Sequence, residues 1–330
     1  MSVLVTGGAG YIGSHMVLAL LDRGEEVVVL DNLSTGHKWA VPEAAGLVVG
    51  EAGDEKLVGR LIKRHDIDAI AHFAGSIVVP DSVTDPLSYY LNNTVTSRAV
   101  MAAAVAGGVR NFIFSSTAAV YGAARTNPIG EDAPLLPISP YGTSKMMTEF
   151  MLRDAALAYD FRYTALRYFN VAGADPKGRS GQSTPRATHL IKMAAQTALG
   201  DRPQLDIFGT DYDTPDGTCI RDYIHVTDLA SAHLQALDRL RGGGGSVVLN
   251  CGYGCGFSVR EVIGAVERAA KTVIPVREAP RRAGDPPALV AGVAAILKTL
   301  DWVPAHDDLD EIAASALAWE RHLRGRPQAA

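Results

Sequence analysis

The sequence predicts an α/β fold: a Rossmann-type doubly wound parallel sheet carrying a smaller α+β substrate domain. Three observations predict it. Short β-branched runs alternate with longer helical patterns through the first 170 residues, the signature of βαβ units. The strand runs are apolar throughout instead of alternating, as expected where helices cover both faces of a sheet. A glycine cluster separates the first strand from the first helix.

The elements follow in order. Val3–Thr6 reads as a strand, Tyr11–Arg23 as a helix, and Glu26–Leu30 and Leu47–Val49 as the next strands. Glu55–His65 carries a helical pattern and Ala69–Phe73 an extended apolar one. Pro86–Ala106 is expected to be one helix, followed by a strand at Asn111–Ser116, a helix at Ser144–Tyr159 and a strand at Tyr163–Arg167. Val171–Pro185 is rich in Gly, Pro, Ser and Asp and reads as a long loop. Beyond it, helices are expected near Leu190–Leu199, 258–270 and 307–323, with extended pieces at Leu205–Phe208 and Val247–Asn250. The division is therefore a sheet domain over residues 1–170 and a second domain over 171–330, with one or two segments from about 220–250 returning to the sheet. No internal repeat is visible.

Composition narrows the function. The chain has 330 residues, a formal net charge of −5, 47% hydrophobic and 20% charged residues. A disordered chain would be poorer in apolar residues, and a nucleic-acid binder would be strongly basic, so no nucleic acid is expected. The longest apolar runs, such as Ala99–Ala106, fall well short of the roughly 20 residues that span a bilayer. No targeting segment is recognisable, so a cytoplasmic protein without membrane attachment is expected. Three cysteines are too few for a disulfide framework. Cys251 and Cys255 lack the second ligand pair that a zinc site needs, so no metal is expected.

Two constellations carry chemistry. Gly7, Gly10 and Gly13, with Tyr11 and Ile12 between the last two, form G-x-x-G-x-x-G between strand and helix. Such a turn lets the backbone approach a pyrophosphate at a helix N-terminus, where free N–H groups and the helix dipole favour anions. Asp31 ends the second strand, 18 residues after Gly13. Its carboxylate suits ribose hydroxyls and repels a 2′-phosphate, which favours NAD over NADP. Phe73, Ala74 and Gly75 end the fourth strand, at the sheet edge where ligands bind, and Asn92 or Asn93 in the next helix could reach the cofactor.

The second constellation is Tyr141-x-x-x-Lys145. This spacing sets both side chains on one helix face, one turn apart. A free tyrosine ionises near pH 10, and bringing it to about 7 takes roughly 4 kcal/mol. The Lys145 ammonium and the positive nicotinamide ring of NAD⁺ are the expected sources. Ser115, Ser116 and Thr117 follow the fifth strand and place a hydroxyl beside Tyr141.

Together these features resemble the extended short-chain dehydrogenase/reductase family, and within it the epimerases acting at C4 of UDP-hexoses. The resemblance is carried by Val3–Ser14, Asp31-Asn32, His72–Gly75, Asn111–Gly122, Ser139–Lys145, Leu166–Asn170, Arg221–Val226 and Ala279–Asp285. It implies NAD-dependent interconversion of UDP-galactose and UDP-glucose: oxidation at C4, rotation of the 4-keto sugar, and hydride return to the other face. Tyr141 would be the base, with Thr117 and Lys145 assisting. Asn32, Glu51, Ser115 and Tyr168 would join the glycines, Asp31, Phe73–Gly75 and Asn92 around NAD. Arg221 and Arg282 would clamp the diphosphate, a task suited to guanidinium geometry. Asp285 would accept from the uridine ribose and Phe208 would pack near the uracil. Asn170, His189, Leu190 and Leu289 would complete the sugar-nucleotide site.

The family's helices corresponding to Asn92–Ala106 and Ser144–Tyr159 pair across a two-fold axis, so the resemblance also implies a homodimer. The residues involved would be Val95, Ala99, Met101, Val105, Met147, Phe150 and Met151. Neighbouring dehydratases carry an acidic residue just after the Thr117 position. Ala118 and Ala119 cannot transfer protons, which disfavours elimination.

Three departures are visible. Ser76-Ile77 replaces a stretch where some relatives have a lysine, which would weaken NAD retention. Either Glu51 or Asp54 could serve the adenosine end. Leu289 stands where some relatives have a bulky tyrosine, leaving room for a 2-acetamido group. The rival readings are 4-epimerisation of another UDP sugar (N-acetylhexosamine, uronate or pentose) and a non-enzymatic dinucleotide sensor.

Overall fold

The computed structural model describes residues 1–124, 126–185, 187–282 and 285–326. Its centre is a seven-stranded sheet, ordered β10-β6-β5-β4-β1-β2-β3. The strands are β1 (Ser2–Thr6), β2 (Glu26–Asp31), β3 (Gly46–Val49), β4 (Ile67–His72), β5 (Asn111–Thr117), β6 (Arg162–Tyr168) and β10 (Val247–Cys251). Every pairing among them is parallel. Strand order reverses between β1 and β4, which opens a crevice at the carboxyl ends of the strands.

Helices cover both faces, which is why the strands are apolar on both sides. On one face α1 (Tyr11–Asp22), α8 (Val226–Arg241) and α10 (Ala294–Thr299) bury Met16, Leu20, Leu229, Leu237 and Ile296 against the sheet. On the other, α2 (Glu55–Arg64), α5 (Thr96–Ala106) and α6 (Pro140–Ala158) bury Val58, Leu61, Val100 and Leu152.

The remaining strands are short. β7 (Asn170–Ala172), β9 (Ile220–His225), β11 (Gly256–Ser258) and β13 (Ala288–Leu289) form a four-stranded sheet, and β8 (Leu205–Phe208) pairs with β12 (Val276–Ala279). Helices α7 (Leu190–Ala198), α9 (Val259–Ala270) and α11 (Leu309–Arg324) pack around a separate core that contains Ile191, Val262, Val266 and Ile312.

Several elements differ from the sequence expectation. Pro86–Ala106 is not one regular helix. After α3 (Val79–Thr84), α4 covers Pro86–Tyr89, a π-helical turn covers Tyr90–Val95, and α5 follows. The wider turn brings Asn93 inward. Its side chain accepts from Ser76 N at 2.7 Å and donates to Ser144 Oγ at 3.0 Å. Hydrophobic periodicity does not reveal a polar side chain held by partners far along the chain. Helix α6 starts four residues before the expected Ser144, because Ser139 caps it by accepting from Gly142 N and Pro140 suits the first turn. Tyr141 therefore lies in the first turn. Strand β9 and helix α8 were absent from the expectation, although α8 packs on α1 and β10 joins the sheet beside β6.

A buried charge network ties α6 to the sheet. Arg167 donates to both carboxylate oxygens of Glu149, at 3.0 and 2.6 Å, and to the Tyr121 hydroxyl at 2.7 Å. Ser116 donates to the same carboxylate at 2.5 Å. Tyr121 donates to Asn250 of β10 at 2.6 Å.

Candidate active site

A cavity of about 390 Å³ opens along the carboxyl edge of the large sheet. Its wall contains Gly7, Gly10, Tyr11, Ile12 and Gly13, then Asp31, Asn32 and Glu51, then Phe73, Ala74, Gly75 and Asn92. The same cavity is lined by Ser115, Thr117, Tyr141, Tyr168, Asn170, His189 and Leu289. The β1–α1 turn is built for close approach. Gly7 has φ +71°, and a Cβ there would lie 2.6 Å from Ala74 N. A Cβ on Gly13 would lie 2.2 Å from Gly7 O. Helix α1 begins after Gly10 with no side-chain cap, so its first N–H groups are left for an anion.

Asp31 shapes this turn from below. Its carboxylate accepts from Ala9 N at 2.9 Å and from Leu33 N at 2.8 Å. Asn32 donates to Glu51 at 3.2 Å. Asp54 is occupied elsewhere, accepting from Leu57 N as the cap of α2. Of the two acids the sequence left open, Glu51 lines the cavity.

At the other end, the Tyr141 and Thr117 side chains are hydrogen-bonded. Lys145 donates to Ser115 O at 2.9 Å and lies 4.9 Å over the Phe114 ring. Gly75 lets the β4 end come close to Asn93, since a Cβ there would lie 3.0 Å from Asn93 Oδ1. The Tyr168 hydroxyl is bonded to His233 Nε2 and to the Ser115 side chain. Asn92 donates to Ser76 Oγ at 2.8 Å.

The protein alone does not bring Tyr141 near 7. Burial pushes its phenol above the usual tyrosine value, and the Thr117 hydrogen bond only partly offsets this. Burial also pulls Lys145 down to about 8. The lysine directs its proton to the Ser115 carbonyl, so desolvation dominates at both groups.

The remaining expected residues lie beyond the cavity wall. The Arg282 guanidinium stacks on Phe208 at 3.8 Å. Arg221 donates to Pro286 O at 2.9 Å and to Asp285 at 3.4 Å. Leu289 pairs with Arg221 across β13 and β9, which connects this cluster to the cavity. Within the 279–285 motif, residues 283 and 284 lie outside the described residues. Leu190 opens α7 and packs against the second core.

Sequence reasoning missed Ser34, Thr35, Gln182 and Thr184, all in the cavity wall. For Gln182 and Thr184 the available signal was the length of the 171–185 loop, since long loops in compact proteins are usually either functional or disordered; Ser34 and Thr35 carried no such signal.

A family model described as the NAD dependent epimerase/dehydratase family matches residues 3–252. The chain is 60% identical to UDP-glucose 4-epimerase of Azospirillum brasilense over 321 residues, 97% of this chain and 92% of that one. A crystal structure of UDP-glucose 4-epimerase from Brucella ovis in complex with NAD superposes with a TM-score of 0.94 at 44% identity, covering 96% and 97% of the two chains. The UDP-Glc/GlcNAc 4-epimerase of Campylobacter jejuni gives 0.86 at 49% identity, covering 97% and 99%.

The pKa shifts set a direction for experiment. A raised phenol pKa keeps Tyr141 protonated at neutral pH. Lys145 is charged only below about pH 8, so its help to a phenolate fades above that. Phenolate absorbance, taken as the difference between the protein and its Tyr141→Phe variant, should show a midpoint above that of free tyrosine without dinucleotide. Adding NAD⁺ should lower the midpoint; an unchanged midpoint would refute this electrostatic account.

Proposed function

The chain belongs to the NAD dependent epimerase/dehydratase family, and on that premise we propose that it interconverts UDP-galactose and UDP-glucose by oxidising and re-reducing the sugar at C4. One observation carries the reading. A single cavity is lined by Asp31 and the glycine turn at one end and by Thr117 and Tyr141 at the other. The 60% identity to an epimerase of that name over nearly the whole chain supports the substrate.

NAD is the cofactor, and the residues fit it. The uncapped start of α1, the close backbone approach at Gly7 and Gly13, and the Asp31 carboxylate form a cradle for a pyrophosphate and a ribose. When bound, NAD supplies a reversible hydride acceptor for C4. The chain's own residues do the rest. Tyr141 takes the proton of the 4-hydroxyl and later returns it, and Thr117 orients the phenol. Lys145 adds positive charge one helical turn away.

Arg282 over Phe208 offers a flat cationic and aromatic surface for a uracil. Arg221 and Asp285 would turn from each other to the diphosphate and the ribose. Tight hold on the nucleotide and a loose hold on the hexose let the keto sugar rotate without escape. Ala118 and Ala119 line the cavity where a dehydratase needs an acid.

The division of labour follows the fold, with the large sheet, including β10 and its covering helices α8 and α10, serving NAD and the smaller core around β8, β9 and β13 serving the sugar nucleotide. A homodimer fits the surface. Leu87, Leu91 and Val95 on one side, and Met147, Phe150 and Leu157 on α6, are exposed large apolar residues. Ala99 and Met101 are buried and belong to the core instead. Among the described residues no helix is long and apolar enough to cross a membrane. A cytoplasmic role in galactose metabolism completes the reading.

The purified protein, given UDP-galactose and no added cofactor, should yield UDP-glucose. Tyr141→Phe should retain NAD and lose about 10²-fold or more in rate, as for loss of a general base. Near-normal turnover by that variant would overturn the assignment.

A second reading concerns the acetamido sugars and rests on Leu289 in the cavity wall. The similarity to the Campylobacter UDP-Glc/GlcNAc enzyme supports it. The protein should also epimerise UDP-N-acetylglucosamine. Leu289→Tyr should cost that substrate about tenfold or more relative to UDP-galactose, in line with the discrimination available to an apolar pocket. No turnover of the acetamido sugar by the parent would reject this reading.

A further inference from the structure

Two segments of the cavity wall are held from outside the cavity by the C-terminal helix, the first of them also tied to the glycine turn, where His37 N donates to Ala9 O at 3.0 Å. The first is Asn32–Gly36, which follows Asp31 and contributes Asn32, Ser34, Thr35 and Gly36 to the wall. It leads straight into a short 3₁₀ turn, Lys38–Ala40. There Trp39 stacks on His37 at 5.0 Å and meets Trp319 of α11 at 5.9 Å. The Arg326 guanidinium, just past the end of α11, lies 4.1 Å over Trp39 and 5.7 Å from Trp319.

The second segment contributes Gln182 and Thr184 to the wall. It packs on the same tryptophan. Gly181 has room only for hydrogen, since a Cβ there would lie 2.4 Å from the Trp319 ring. Trp319 Nε1 donates to Ser183 Oγ at 3.1 Å, and His37 Nε2 is 3.0 Å from Ser183 O, which joins the two segments. The next residue on α11, Glu320, is ion-paired with buried Lys192, whose ammonium also donates to Gln182 O at 2.9 Å.

We propose that α11 is a latch for the adenosine end of the dinucleotide, with Trp39, Trp319 and Arg326 setting how slowly NAD leaves. The proposal rests on the NAD reading of the cavity above. None of the three residues reaches the cavity wall or the reacting atoms; they are positioning residues that hold Asn32–Gly36 and Gln182–Thr184 together over Asp31. The stack takes over a retention role that the Ser76-Ile77 stretch lacks. A loosened stack should free both segments, raising NAD dissociation while the chemistry at Tyr141 stays intact.

The test follows NAD itself. Protein purified with its cofactor is mixed with excess radiolabelled NAD, and exchange is timed for the parent, Trp39→Ala, Arg326→Ala, Trp319→Ala and Trp319→Phe. Trp39→Ala and Trp319→Ala should exchange about tenfold faster or more, from the combined loss of an aromatic pair and a cation–π contact. Arg326→Ala should be intermediate and Trp319→Phe close to the parent. UDP affinity and the rate with saturating NAD should not change for Trp39→Ala, whose side chain is 38% exposed and replaceable without opening the core. Parent-like exchange in Trp39→Ala and Arg326→Ala would overturn the latch. A parent that carries and binds no NAD would instead overturn the reading of the cavity and the latch with it.

Discussion

The buried pair of Arg167 and Glu149 fixes the geometry on which the site depends. Glu149 lies one turn beyond Lys145 on α6, and Arg167 lies on β6 beside β5. Their two parallel hydrogen bonds, at 3.0 and 2.6 Å, lock helix to sheet in one orientation. Removing either partner alone would strand a buried charge, a loss of about 3–5 kcal/mol. Because side chains alternate along a strand, the Ser116 hydroxyl turns to this pair while those of Ser115 and Thr117 meet Tyr168 and Tyr141 at the cavity. One set of bonds thus holds the strand, the helix and the hydroxyl beside Tyr141. Tyr121 and Asn250 extend the network to β10, so the late-returning strand is bound to the same frame.

The electrostatics explain why cofactor and base belong together. Burial disfavours both the Tyr141 phenolate and the Lys145 ammonium. A dry site of this kind holds the phenol neutral until a further positive charge enters. The net charge of −5 gives no hint of this, since a local inversion arises from where single cations are placed. Arg221 and Arg282 show the same principle: one is held by backbone carbonyls and Asp285, the other by an aromatic ring. Each is an oriented cation outside the cavity wall.

What could be read from the sequence follows from the range of the forces involved. The sheet strands β1 to β6, the glycine turn and the Tyr141–Lys145 spacing are local patterns, and the parallel order follows from their alternation. Asn93 was not legible as a bridge, because a π-helical turn and two distant serines decide its direction. Strands β7, β11 and β13 have two or three residues each and carry no periodicity. Asp54 caps α2 while Glu51 lines the cavity, a difference that only the folded chain displays. Trp39 and Trp319 are 280 positions apart, and only the folded chain brings them together.

The central claim is that C4 of a UDP sugar is oxidised and re-reduced within one cavity without exchange with water. Conversion of UDP-galactose deuterated at C4, by the purified protein in ordinary water, tests it most directly. The account predicts UDP-glucose that keeps its deuterium at C4, because the hydrogen moves as hydride between sugar and bound cofactor. Product with the label lost to solvent would contradict it.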